Sequence, residues 1–144
     1  MEQQYPGNFY SFPDFLLDLE MELQNAGLDN SVYYDKCIIY CREICNYFSE
    51  EDELFIHNFR RAIAESLFKS DHIEEAIKEF NCLISDYPDN IWSYIAYGDV
   101  YWIFGNKKVI DPVKAKEYYE KALLVAKDKN DIDIIMERID DLDD

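Results

Sequence analysis

The chain has 144 residues, of which 49% are hydrophobic and 31% are charged, and its formal net charge at pH 7 is -17. This length and apolar content predict one folded domain with a continuous core rather than a disordered chain. The acidic balance argues against nucleic acid and anionic membranes as partners, because both are normally bound through Lys and Arg.

The sequence also bears on the compartment. Met1–Tyr10 has neither the basic nor the apolar region of a secretory signal. The sequence also has no run of about 18 apolar residues, so no membrane span is predicted. Three of the cysteines, Cys37, Cys41 and Cys45, fall on one helix stripe, where they cannot pair sensibly with each other. Free thiols suit a reducing environment, so we predict a cytoplasmic protein.

Helix signals begin directly after the first ten residues, which are predicted to form a short arm. Ser11, with Pro13 and Asp14 behind it, predicts a capped helix start. The apolar stripe of this helix runs to about Asn25, and Gly27 is predicted to end it.

The rest of the chain continues in the same way. Ser49–Asp52 and Asp71–Glu74 match the capping box, Asp89 and Asn90 predict the cap of the next helix, and Asp111 with Pro112 predicts a further helix start. Strand signals are absent from the sequence, since it shows neither sustained alternation nor hairpin turns. After the first helix, six more are predicted: over 32–48, from the capping box at 49–52 through residue 68, from the start signal at 71–74 to about 86, and over 91–104, 112–126 and 131–142.

Small and aromatic side chains recur in the middle of the chain. Ala64 and Gly98 are 34 residues apart, and so are Leu67 and Tyr101. A repeat of this length built from helix pairs indicates a helical solenoid. The recurring positions are Ala64, Leu67, Ala76, Phe80 and Pro88 in one pair, and Tyr94, Tyr97, Gly98, Tyr101, Ala115, Tyr119 and Ala122 in the next.

These positions resemble the pattern of tetratricopeptide (TPR) repeats, in which small residues let helix backbones approach and aromatics fill the gap to the next unit. The resemblance covers 51–90 and 91–126. Over 11–48 it describes a degenerate repeat, because Glu20 stands where a small residue is expected and cysteines replace the Ala and the aromatic of the second helix.

The resemblance implies an all-α fold in one domain, 1–144. This would be an α-solenoid of about three TPR-like helix-turn-helix units, with an N-terminal arm at 1–10 and a solubilising C-terminal capping helix at 131–144. The first and last units carry additional residues between their helices, at 28–32 and 106–110.

The resemblance also implies a concave groove lined by the first helix of each pair. Trp92 and Trp102 are predicted anchors, with Arg61 and Lys69 as charge partners. The alternative is that one or both tryptophans belong to the core. The predicted groove residues are Asn58, Arg61, Glu65, Phe68, Lys69, Trp92, Ile95, Asp99, Trp102 and Ile103, with Asp14, Leu17, Met21, Gln24 and Asn25 in the degenerate unit.

The expected function is that of a non-catalytic protein–protein interaction module. Some members of the family hold a partner's terminal carboxylate with a basic clamp and asparagines, but Glu65 and Asp99 stand at those places. The predicted partner is therefore a protein or peptide of basic or mixed charge.

Two alternatives stay open. In the first alternative, the same surface mediates homodimerisation. In the second, Cys37, Cys41 and Cys45 bind a metal ion, although Cys82 is the one further cysteine in the sequence that could complete a thiolate site. No enzyme activity or cofactor is predicted, because His57 and His72 lack a catalytic partner at motif spacing and no nucleotide-binding or hydrolase motif occurs.

Overall fold

A computed structural model describes residues 11–48, 52–102 and 105–144. In these ranges the chain is helical and contains no strand, which confirms the all-α prediction for them. The predicted arm at 1–10 lies outside the described residues. The α-helices are α1 Phe12–Asp29, α2 Val32–Tyr47, α3 Glu53–Lys69, α4 Ile73–Asp86, α5 Ile91–Val100, α6 Pro112–Val125 and α7 Lys129–Asp143, with a 3-10 turn at Lys107–Val109.

The helices pack in two ways, each with its neighbour in the chain and α1, α3 and α5 also side by side. Gln24 near the end of α1 meets Lys69 at the end of α3, and His57 early in α3 meets Ser93 early in α5. Together with the side-by-side packing, these contacts indicate that α1, α3 and α5 run parallel. We call these three helices the inner layer.

The core lies between the inner layer and the helices that alternate with it. Its largest fully buried side chains come from α2, α3, α4, α5, α6 and α7, so one continuous core joins them. Burial of each such side chain stabilises the fold by about 1.5–3 kcal/mol. They include Phe59, Phe68, Phe80, Ile95, Tyr119 and Ile135.

Gly98 lets α5 approach α6 closely. A Cβ atom added to it would lie 2.6 Å from Cε1 of Tyr119 and 3.0 Å from the carbonyl oxygen of Ala115. The sequence predicts this close approach of the helices that carry Gly98 and Ala115, and the structure has it.

We expect Gly98→Ala to destabilise the protein by about 1–3 kcal/mol, because the overpacked Tyr119 ring outweighs the better helix propensity of alanine. Urea unfolding followed by circular dichroism measures this change. A variant as stable as the wild type would mean that the two helices can separate without cost.

The first helix is longer than predicted, and Gly27 does not end it. α1 continues to Asp29, and Gly27 is buried inside it against the ring of Tyr34 from α2. The reason is that glycine serves here as the smallest contact between two helices rather than as a left-handed cap. Most of the additional segment 28–32 is therefore helix.

Three other predicted helix termini, two starts and one C-terminal end, differ from the structure or are only partly described. Asp52 caps α3 with its carboxylate, whereas the preceding residues of the predicted capping box lie outside the described ranges. α5 ends at Val100 instead of residue 104. α7 begins two residues before Asp131, because Asp128 accepts a hydrogen bond from the Asp131 backbone N–H and caps the helix.

Asp71 does not cap α4 as predicted. It has a φ of 70°, and His72 occupies the N-cap without a side-chain bond. The Asp71 carboxylate instead accepts hydrogen bonds from the Asn106 amide and, at 3.1 Å, from Nζ of Lys108. We call these three residues the Asp71 latch. It gives the additional segment 106–110 a contact with the turn between α3 and α4.

Candidate functional site

An open groove of about 500 Å³ crosses the inner layer and reaches α7. We call it the central groove. Five of the residues predicted as site residues line it, namely Arg61, Glu65, Lys69, Trp92 and Asp99, and so do Met21, Gln24 and Asn25 from the degenerate unit.

Several predicted groove residues lie elsewhere. Ile95 and Phe68 are fully buried in the core, so their prediction as groove residues is wrong. Trp102 packs against the core and does not line the central groove, which follows the alternative considered for the tryptophans. Ile103 lies outside the described residues.

Asn58 is separated from the central groove. It lines a second depression, of about 480 Å³, at the beginning of α1 and α3, together with mainly apolar side chains such as Leu17 and Phe55. Asp14 caps α1 at its exposed start instead of facing the central groove. The predicted lining therefore holds for the later turns of α1 and α3 but not for their first turns.

Trp92 is the aromatic side chain of the central groove. The Asn90 side chain accepts a hydrogen bond from the Trp92 backbone N–H at 2.9 Å and starts α5 there, as its sequence predicts. Two guanidinium groups lie against the indole ring: Arg61 at 5.7 Å and Arg138 at 5.5 Å from its centroid. Such cation–π contacts are worth about 0.5–1 kcal/mol each at exposed sites and hold the ring in place.

Asp99 is not the free groove carboxylate that the sequence suggests. It is only 7% exposed, and Arg138 from α7 binds both of its oxygens, with Nε at 2.8 Å and Nη2 at 3.2 Å. The Tyr119 hydroxyl donates a third hydrogen bond at 2.6 Å, and burial together with Asp99 raises the pKa of Tyr119. The sequence did not predict this role of Asp99, because α7 was expected to act only as a solubilising capping helix and not to contribute a side chain to the groove.

A polar network crosses the floor of the groove from α3 to α1. Lys69 Nζ donates to Gln24 Oε1 at 3.0 Å, and Gln24 Nε2 donates to Glu65 at 3.4 Å and to Glu20 at 3.5 Å. Arg61 approaches the same Glu65 carboxylate at 3.6 Å. We call these five residues the Gln24 network.

Glu20 is the most unusual member of this network. Its side chain is 4% exposed, and burial, followed by the neighbouring Glu65 carboxylate, raises its pKa from 4.5 to about 7. Arg61, Gln24 and Lys69 oppose this shift in part. The sequence does mark Glu20 as unusual, because a carboxyl group stands at a position where the repeat pattern has a small residue. It does not show that this carboxyl group lies in a groove.

The thiols of the cysteine stripe pack in the core. Cys37 and Cys41 are fully buried with their Sγ atoms 3.9 Å apart, and Cys45 is partly exposed. The contact with Cys37 and burial raise the pKa of Cys41, so it stays a neutral thiol at physiological pH. Within the described ranges, no group of three or more His, Cys, Asp or Glu side chains is placed to hold a metal ion.

His57 has a partner that the sequence does not reveal. Its Nε2 lies 2.9 Å from Oγ of Ser93, because α3 and α5 run side by side. Both residues are buried, and burial lowers the pKa of His57 to about 4. Ser93 also donates to the Tyr87 carbonyl oxygen at 3.3 Å. A pair closed off from solvent in this way joins two helices and offers no access to a substrate.

Comparison of the chain with models of protein families, with curated proteins and with solved structures found no match in any of the three. Among the described helices, none combines the length and the apolar character needed to cross a membrane. The fold and the site together define a class of protein: an all-helical chain with an open groove across three parallel helices.

Proposed function

We propose that this chain is a TPR-like interaction module that binds a protein or peptide in the central groove and catalyses no reaction. In this proposal the helix pairs α1–α2, α3–α4 and α5–α6 form an α-solenoid of about three units, and α7 caps it. The parallel packing of the inner layer and the close approach of α5 and α6 at Gly98 support this arrangement.

One observation carries the proposal: a half-buried Trp92, held by two guanidinium groups, faces an open groove. Tryptophan and arginine are the residues most enriched among the anchors of protein interfaces. Opposite Trp92, α1 presents Met21 and Leu28, which are 58% and 74% exposed. These side chains give the groove an apolar wall on each side of a charged floor.

The groove lining fits a partner segment of mixed charge. Its described residues include three basic and three acidic side chains, but Asp99 is already bound by Arg138 and Tyr119. Within the part of the chain that the structure describes, Lys69 donates its hydrogen bond to the neutral amide oxygen of Gln24. A partner that combines an apolar side chain with charges of both signs therefore matches this surface. We place this interaction in the cytoplasm, where the free thiols would stay reduced.

We expect Trp92→Ala and Lys69→Glu to weaken capture of the main partner at least tenfold, as is common for interface anchors. The measurement is quantitative affinity capture from cell extract, followed by titration with the identified partner. Circular dichroism should show unchanged helicity, because Trp92 packs only against the border of the core and Lys69 is not part of it.

Val113→Ala is the matched control, since Val113 is 81% exposed on α6 and lies outside the central groove. It should leave capture unchanged. Retention of the partner by both groove variants, or its loss in the Val113 variant, would contradict the proposed site.

Self-association is the second candidate, because large apolar side chains are exposed on α1, among them Phe12 at 64% and Phe15 at 50%. Residues 1–56, however, carry two basic and twelve acidic side chains, so two copies would repel each other at this face. Native mass spectrometry at low micromolar concentration separates a dimer from a monomer that captures another protein.

A further inference from the structure

Glu20 places a buried carboxyl group, without an ion pair to any described residue, in the floor of the central groove. It takes part in none of the ion pairs formed by the described residues. Its side-chain contact is the Gln24 amide at 3.5 Å, and that amide is shared with Glu65. A carboxyl group that is removed from water and placed beside a second carboxylate favours the protonated form.

The other groups around Glu20 come from each neighbouring helix. From α3 these are Arg61, Glu65 and Lys69, and across the groove are Asp99 of α5 and Arg138 of α7. The titratable groups of α2 on this side are Tyr40, Cys37 and Cys41, of which Cys37 contacts the Glu20 carbonyl oxygen at 3.9 Å.

The charge of the groove depends on Glu20. With Glu20 ionised, three acidic and three basic side chains balance in its lining; with Glu20 protonated, one positive charge is in excess. Asp99 and Arg138 are bound to each other, and the hydrogen-bond partner of Lys69 among the described residues is the neutral Gln24 oxygen. The excess charge therefore falls on the α3 side, beside Lys69.

We propose that the central groove is proton-linked: it takes a partner segment that places a side-chain carboxylate beside Lys69 and Gln24, and binding loads a proton onto Glu20. This inference rests on the proposed function and names the chemistry of its partner. Because the pKa of Glu20 is about 7, its carboxyl group takes up and releases this proton near neutral pH. By linkage, a ligand carboxylate near Glu20 raises the pKa of Glu20 further, so affinity rises as pH falls.

The test uses three short peptides with acetylated and amidated ends, flanked by leucines, that differ only in a central glutamate, glutamine or lysine. Binding is followed by the NMR signal of the Trp92 indole at pH 6 and pH 8 and constant ionic strength. If the bound carboxylate raises the pKa of Glu20 by one unit, the glutamate peptide binds roughly fivefold tighter at pH 6 than at pH 8.

Glu20→Gln should abolish this pH dependence while the peptide still binds, because the variant mimics the protonated carboxyl group. Glu22→Gln, on the exposed side of α1, is the matched control and should keep the wild-type ratio. Glu65→Gln should move the transition to lower pH, since Glu65 helps to raise the pKa of Glu20. A pH dependence that survives in Glu20→Gln, or tighter binding of the lysine peptide than of the glutamate peptide at pH 6, would overturn the proposal.

Titration of the Glu20 carboxyl carbon in the free protein separates the two proposals. Peptide binding without pH dependence overturns the proton linkage and leaves the proposed function standing. A Glu20 carboxyl group that titrates near neutral pH, while none of the three peptides perturbs Trp92, counts against the groove as a peptide site and thus against both.

Discussion

Arg138→Met is expected to lower the free energy of unfolding by about 3–5 kcal/mol, the usual cost of removing one partner from a buried ion pair. Asp99 is 7% exposed, and among the described residues the variant would leave its carboxylate with one hydrogen-bond donor, the Tyr119 hydroxyl. Methionine keeps much of the arginine volume, so the loss reports on the charge rather than on a cavity. Urea unfolding of the purified protein measures the change.

The chain offers a matched control that also ties α7 to a neighbouring helix. The ion pair of Lys116 and Asp143 joins α6 to α7 at 3.1 Å, but both side chains are solvent-exposed. Lys116→Met should cost less than about 1 kcal/mol. The double variant Asp99→Asn with Arg138→Met should recover part of the loss, because no unpaired charge remains buried. An Arg138 variant as mild as the Lys116 variant would show that α7 is not held by this contact.

Glu20→Gln is expected to make the protein more stable than the wild type at alkaline pH. The folded protein keeps the Glu20 proton up to a pKa of about 7, whereas the unfolded chain releases it near 4.5. The stability that this proton contributes is full below pH 4.5 and is lost as pH rises through 7. The loss amounts to about 3 kcal/mol at pH 8 and about 1 kcal/mol at pH 5.

The measured quantity is the difference in unfolding free energy between Glu20→Gln and the wild type at pH 5 and pH 8. We expect this difference to grow by about 2 kcal/mol between the two values, in favour of the variant. If the substitution also alters hydrogen bonds, it adds the same amount to the free-energy difference at both pH values and leaves the change between them unaffected. If the difference is the same at both pH values, Glu20 ionises as an ordinary surface carboxylate in the folded protein.

The helices were predictable because their signals are local. Ser11, Asn90 and Asp111 cap the helices that their neighbours suggest, and apolar spacing marks the buried stripes. Part of the groove lining on α3 and α5 was predictable, because the repeat pattern indicates which side of each helix faces the groove. Ile95 shows the limit of this reasoning, since one turn of a helix can contain both a groove residue and a core residue.

The errors arise where a distant contact decides the role of a residue. Gly27 is required by the Tyr34 ring of the next helix, and Asp71 is diverted to a segment more than thirty residues further along the chain. Arg138 lies in a helix outside the repeat, so no pattern connects it with Asp99. Spacing along one helix does not report which side chain a later helix brings to it.

The Asp71 latch has a consequence for how the protein opens. In an array of stacked helix pairs, each pair contacts chiefly its neighbours, so an end can fray independently of the middle. Here the connection between α5 and α6 is fastened to the turn between α3 and α4, outside the apolar interface of these pairs. The two pairs are thus joined at a second point, and their backbone amides should exchange with solvent as one cooperative unit.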